Sequence, residues 1–153
     1  MKDLNEFTSK YDCNLETTKE LNHDGSKTNL MWFNCEHLDC CIILNETHSE
    51  EFGIEWGLEF VTSENFHKLQ FDYELVKSKR NPIKLRTYFK DFINAIKNDI
   101  RFDIDSLEFY CEKEREKVYL RALKDFNVTS LLGSNTFLIT LNSWEVAPEL
   151  LSL

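Results

Sequence analysis

Residues 51–60 read Glu51-Phe52-Gly53-Ile54-Glu55-Trp56-Gly57-Leu58-Glu59-Phe60, and their alternation decides the fold class. Phe52, Ile54, Trp56, Leu58 and Phe60 share one parity, while Glu51, Glu55 and Glu59 share the other with Gly53 and Gly57. A strand sends alternate side chains to opposite faces, whereas a helix would scatter these five apolar residues around its circumference. The stretch therefore reads as a strand with all five on a core face. Burying them would contribute roughly 8–15 kcal/mol before ordering entropy is subtracted.

Downstream, Thr62-Ser63-Glu64-Asn65 reads as a polar turn. Leu69, Phe71, Tyr73 and Leu75 then alternate with Lys68, Gln70, Asp72 and Glu74, so the two runs predict a long antiparallel hairpin. Upstream, Cys40-Cys41-Ile42-Ile43-Leu44 is apolar on both parities, which predicts a strand covered on both faces and central in its sheet. Leu30–Cys35 reads as another strand. Residues 1–28 are polar and weakly patterned; Leu4, Phe7 and Tyr11 allow a short helix, and Asn22–Lys27 with Gly25 is a loop.

Asn81-Pro82 opens the one strong helix, with Asn81 as N-cap and Pro82 at the first helical position, where its missing N–H costs nothing. Leu85, Tyr88/Phe89, Phe92/Ile93 and Ile96 form an apolar stripe that ends near Asn98 or Asp99. Leu107, Phe109 and Cys111, with Val118, Leu120 and Ala122, suggest a second hairpin turned at Lys113–Glu116. Phe137, Ile139 and Leu141 form a last strand, and Trp144–Leu151 allows a turn of helix. The expected fold is a single α+β domain over 1–153. Its antiparallel sheet is built from hairpins, with one main amphipathic helix (about 82–98) on one face.

The composition narrows the function. With 42% hydrophobic and 13% aromatic residues the chain can build a core, which excludes a disordered acidic tail. A net charge of −9 argues against nucleic acid and anionic membrane as partners, since both are bound by neutralising phosphates. The start, Met1 to Lys10, carries acids and no apolar stretch, unlike a signal peptide, and no apolar run is long enough to span a bilayer. Five cysteines, an odd number with an adjacent pair, do not read as a disulfide framework. Cytoplasmic residence with reduced thiols is the expectation.

Catalytic and metal chemistry find little support. Cys35-Glu36-His37-Leu38-Asp39-Cys40-Cys41 gathers metal-capable residues, but no second pair accompanies it, and neighbours such as Cys40 and Cys41 on a strand point apart. As a nucleophile pair, Cys35 and His37 sit beside Glu36 and Asp39 with no nearby Lys or Arg, which disfavours a thiolate. Phosphate loops and hydrolase signatures are absent. His23, His37, His48 and His67 share no relay spacing and read as surface or turn residues. The expectation is no enzyme activity, no cofactor and no metal; a small enzyme with a carboxylate or Cys-His site is the remote alternative.

The charge distribution is lopsided. Residues 1–76 carry 5 basic and 16 acidic side chains, and residues 77–153 carry 13 basic and 11 acidic. No Lys or Arg occurs from Thr28 to His67, where Glu36, Asp39, Glu46, Glu50, Glu51, Glu55, Glu59 and Glu64 lie. Ordinary surfaces intersperse both signs. One reading is that these acids keep an apolar hairpin soluble and block edge pairing. The other is a negative face for a basic protein partner, with Glu46, Glu50, Glu51, Glu55, Glu59, Glu64, Asp72 and Glu74 as its binding residues. Trp32, Phe33 and Trp56 are the available aromatic anchors, though Trp56 by parity belongs to the core.

In length, negative balance, the Glu46–Glu59 acid run and the lack of a signal segment, the chain resembles the immunity proteins of bacterial contact-dependent and polymorphic toxin systems. That resemblance implies a non-enzymatic inhibitor capping a cognate basic toxin, often a nuclease; it carries over no residue. Secretion chaperones for effector proteins, also small, acidic and α+β, are the alternative, but they usually carry a long C-terminal helix that Phe137–Leu153 does not suggest.

Overall fold

The computed structural model describes residues 3–70, 82–110, 116–131 and 135–141. Helix α1 (Leu4–Lys10) leads into strands β1 (Asn14–Leu21) and β2 (Lys27–Cys35). A 3-10 turn, Glu36–Leu38, connects to β3 (Cys40–Ser49) and β4 (Gly53–Val61). Helices α2 (Ser63–Lys68) and α3 (Pro82–Asn98) follow, then β5 (Ser106–Tyr110), α4 (Glu116–Ala122), β6 (Asn127–Ser130) and β7 (Thr136–Thr140). The strands form one seven-stranded sheet in the order β1-β2-β3-β4-β5-β7-β6. All neighbours pair antiparallel except β4 and β5, which are parallel. Parallel neighbours need a long crossover, and α3 lies within it. The fold is α+β with a mostly antiparallel sheet and one main helix, as its alternating runs and single strong helical stripe indicate.

The two faces of the sheet differ. On the helix face, Phe33, Ile42, Leu44, Leu58, Leu107, Phe109, Phe137 and Ile139 pack with Leu4 and Phe7 of α1 and with Tyr88, Phe89, Phe92, Ile93 and Ile96 of α3. Phe7 stacks on Tyr88 at 5.2 Å between ring centroids and meets Phe92 edge-on at 5.2 Å. Tyr119 of α4 stacks on Phe60 at 5.3 Å. On the outer face, Leu30, Trp32, Cys41, Ile43 and Val61 form a second cluster with Phe66 of α2. Residues 40–44 are thus buried from both sides, as their unbroken apolar run requires, and β3 is central.

Several expectations are corrected. Thr62 is not in a turn but caps α2, its Oγ1 accepting from the Asn65 N–H at 3.0 Å. Leu69, expected to open a strand paired with β4, is the left-handed C-cap of α2; β4 is flanked by β3 and β5 instead. The rest of that run, 71–75, lies outside the described residues, as do Asn81, Cys111, the 113–115 part of the second turn and the Trp144–Leu151 tail. Val118–Ala122, expected as a strand, belongs to α4: Tyr119, Ala122 and Leu123 recur at 3–4 residue spacing and join the core. The "weakly patterned" residues 14–21 form β1. Of the five apolar residues on β4's parity, Leu58 is buried and Trp56 and Phe60 are half-buried, but Phe52 is 67% exposed and Ile54 57%. The β3–β4 ladder continues to Ser49↔Gly53 past the helix layer, so the hairpin projects with its apolar residues bare.

Candidate protein-binding surface

The register of β1 to β4 sorts the acids. Directly opposed residues of a ladder share a face, so the pairs Glu16↔Trp32, Trp32↔Ile43 and Ile43↔Glu59 make one row across the outer face. The pairs Glu20↔Thr28, Thr28↔Thr47 and Thr47↔Glu55 make another. Each row therefore ends in two carboxylates, about 14 Å apart across three strand spacings. Glu16 and Glu20 are four residues apart on β1, and Glu55 and Glu59 on β4, which is about 13 Å along a strand. The four form a nearly square frame. Glu16, Glu20 and Glu55 are exposed and Glu59 is half-buried. Glu108 of β5, opposite Gly57, adds an exposed carboxylate beside the β4 side of the frame.

By the same parity no Lys or Arg among the described strand residues points to this face. Lys19 and Lys27, the basic residues of β1 and β2, project to the helix face. Lys90 of α3 meets Asp125 at 2.6 Å and Arg101, in the following loop, meets Asp99 at 2.7 Å, both outside the frame. None of the ion pairs among the described residues involves Glu16, Glu20, Glu55 or Glu108.

The acids singled out from the sequence divide accordingly. Glu55 and Glu59 lie in the frame. Glu50 and Glu51 sit exposed in the β3–β4 turn beside Phe52, so Glu51 does not extend the Glu55–Glu59 row. Glu46 is on the opposite face, where Asn29 donates to it at 3.4 Å and His48 contacts it. Glu64 pairs with Lys68 along α2 at 3.1 Å. Asp72 and Glu74 lie outside the described residues. Trp32 and Phe33 are buried, so they cannot anchor a partner; the exposed aromatic beside the acids is Phe52.

Glu16, Glu20 and Glu108 escaped the sequence reading because they lie outside the Lys/Arg-free run. The available signal was the alternation within 14–21, Glu16, Thr18 and Glu20 against Leu15, Thr17, Lys19 and Leu21, too polar to stand out. Phe52 departs from the expected core face because period two fixes a residue's face and says nothing about how far the covering helices reach.

The other chemical candidates resolve into structure. The Cys35 thiol donates to the Tyr11 carbonyl at 3.4 Å, and burial pushes its pKa up. Burial likewise raises Cys13 to about 12 and lifts Cys41 further. Cys13 and the three buried residues Cys35, Cys40 and Cys41 are free thiols. His37 lies exposed in the 3-10 turn, and His23, His48 and His67 are exposed too. Asn34 is fully buried and ties three elements: its amide donates to Glu36 at 3.0 Å and its carbonyl accepts from Ser63 Oγ at 2.8 Å. Among the described residues no group of three or more His, Cys, Asp or Glu is placed to hold a metal ion, and no helix is long and apolar enough to cross a membrane.

No known protein-family model matches the chain, and no curated protein matches it.

Proposed function

We propose that this chain is a non-enzymatic binding protein that receives a basic protein partner on the outer face of its sheet, acting as an immunity protein that neutralises a cognate toxin in the cytoplasm. The observation that carries the reading is the frame of Glu16, Glu20, Glu55 and Glu59, built on four paired strands whose own described residues turn no Lys or Arg to that face; the one basic side chain that α2 brings there, Lys68, pairs with Glu64. The paired strands fix the backbone positions of these carboxylates in advance, so binding has only their side chains to order. A single-sign field of this kind steers an oppositely charged partner and turns away acidic ones. The exposed Phe52, flanked by Glu50 and Glu51, supplies an apolar contact within the same negative region. The free thiols agree with a reducing compartment.

The test is co-purification of the chain from its native cells, followed by titration of the recovered partner. The reading requires a basic partner, inhibited on binding, whose association weakens steeply with salt. An acidic or neutral partner bound independently of salt contradicts it.

A further inference from the structure

Strand β1 is an edge of the sheet. It pairs with β2 through eight uninterrupted positions, and among the described residues nothing pairs with its other side. The Asn22 N–H donates to the Ser26 carbonyl at 2.9 Å, which makes 22 and 26 a hydrogen-bonded pair. Such pairs alternate along an antiparallel ladder, so Asn14, Glu16, Thr18 and Glu20 spend their backbone groups on β2. The N–H and C=O groups of Leu15, Thr17, Lys19 and Leu21 therefore point away from the sheet. Exposed edges are normally blunted by charged side chains, proline, bulges or shortness. β1 has no proline, bulge or glycine and pairs with eight of the nine residues of β2; its guard is the charge of Glu16, Lys19 and Glu20, which bars like-charged strands and not every strand.

Its two faces also specify what would fit beside it. On the helix face Leu15 is 53% exposed and Leu21 75%, so two leucines at the ends of the edge lack cover. On the outer face Glu16 and Glu20 are exposed and lie in no ion pair among the described residues. An incoming strand would meet carboxylates on one side and, on the other, a leucine at each end with Thr17 and Lys19 between them. A second copy of this chain fits badly. Antiparallel self-pairing centred on Thr18 sets Glu16 opposite Glu20 of the other copy. Centring on Thr17 makes the same glutamates diagonal neighbours about 7–8 Å apart. The opposite edge, β6, spans only Asn127–Ser130 and bears no charge.

We propose that β1 takes up an extended strand of the basic partner, one in which Lys or Arg alternates with apolar residues. The basic side chains meet Glu16 and Glu20, the apolar ones cover Leu15 and Leu21, and the backbone extends the ladder. This rests on the reading of the partner as basic and adds where and in what conformation it binds.

The probe is a short acetylated and amidated peptide in which lysine alternates with valine. It is titrated into the 15N-labelled full chain at low salt, beside a peptide of the same composition with lysines and valines in separate blocks. The alternating peptide is expected to shift the amides of Leu15, Thr17, Lys19 and Leu21 and slow their hydrogen exchange. It should bind about tenfold more tightly than the block peptide, the equivalent of roughly 1.4 kcal/mol. Thr17→Pro removes an outward N–H that β2 does not use, so the remaining spectrum should be retained while peptide binding is lost. Glu16→Gln with Glu20→Gln should weaken binding about tenfold, from two cross-strand charge pairs.

Equal binding of both peptides overturns the proposal, as does no shift at β1. Shifts confined to the β3–β4 turn and Glu55 would overturn the edge assignment while leaving a basic partner standing. A dimer of the chain alone, abolished by Thr17→Pro, would assign the edge to self-association and overturn it as well.

Discussion

Glu20 of β1 and Glu55 of β4 stand at opposite ends of a single cross-strand row on the outer face, linked through Thr28 and Thr47. At about 14 Å their separation exceeds the screening length at physiological salt, roughly 8 Å, so the sheet carries both at little cost. At about 10 mM salt that length grows to roughly 30 Å and the repulsion returns. Native stability is expected to rise between ~10 and ~150 mM salt. In the Glu20→Gln/Glu55→Gln variant the rise should be smaller, and urea midpoints at the two ionic strengths measure it. An identical salt response in both proteins would mean that the frame stores no field.

Truncations on β3 and β4 should separate buried from projecting residues. Ile42 and Ile43 face opposite sides of the sheet and both are fully buried, so Ile42→Ala and Ile43→Ala should each cost about 2–4 kcal/mol. Phe52→Ala, at the bare hairpin tip, should change stability by no more than about 0.5 kcal/mol while weakening partner binding. Chemical denaturation checks all three. A large loss for Phe52→Ala would place that ring in the core.

The same residues show what could be read in advance. Runs such as Cys40–Leu44 and the α3 stripe were legible because burial on two faces, or on one helical face, imposes a period by itself. Strand β1 was not, since an edge strand buries little and its alternation is written in Glu, Thr and Lys. Helix α4 was mistaken for a strand because Val118, Leu120 and Ala122 match period two. Tyr119, Ala122 and Leu123, which join the core, match the helical one. The frame itself depends on register. No count of charges along the chain places Glu16 and Glu59 in one row.

Gly57 sits where β4 meets both β3 and the parallel strand β5. A Cβ there would lie 3.3 Å from the Glu108 carbonyl oxygen, a backbone atom that can yield only by moving β5. Gly57→Ala is expected to destabilise by about 1 kcal/mol and Gly57→Val by more, with exchange of the β5 amides accelerated. Equal stability of the three proteins would show that β5 shifts freely.

Asp99, 3% exposed, joins the start of α1 to the end of α3. It accepts from the Leu4 N–H at 3.1 Å and from the Arg101 backbone, Nε and Nη2 at 3.0, 3.0 and 2.7 Å. The Arg101 guanidinium, with the backbone donors, holds its pKa down to about 2. A group depressed on folding stabilises the native state above its unfolded pKa, near 3.9, and loses that contribution as pH falls toward about 2. Asp99→Asn should cost about 1–3 kcal/mol at neutral pH and flatten the stability profile between about pH 4.5 and 2. Denaturation midpoints across that window test this, and an unchanged slope would contradict it.

The most direct measurement is titration of the co-purified partner at ~50 and ~300 mM salt against three proteins: the native chain, Glu20→Lys/Glu55→Lys, and Glu46→Lys. Reversal within the frame should weaken association at least about a hundredfold at low salt and flatten its salt dependence. Reversal at Glu46, which lies on the opposite face, should change it by less than about fivefold. Comparable losses in both variants, or none in the first, would contradict the assignment of the outer face as the site that receives a basic protein.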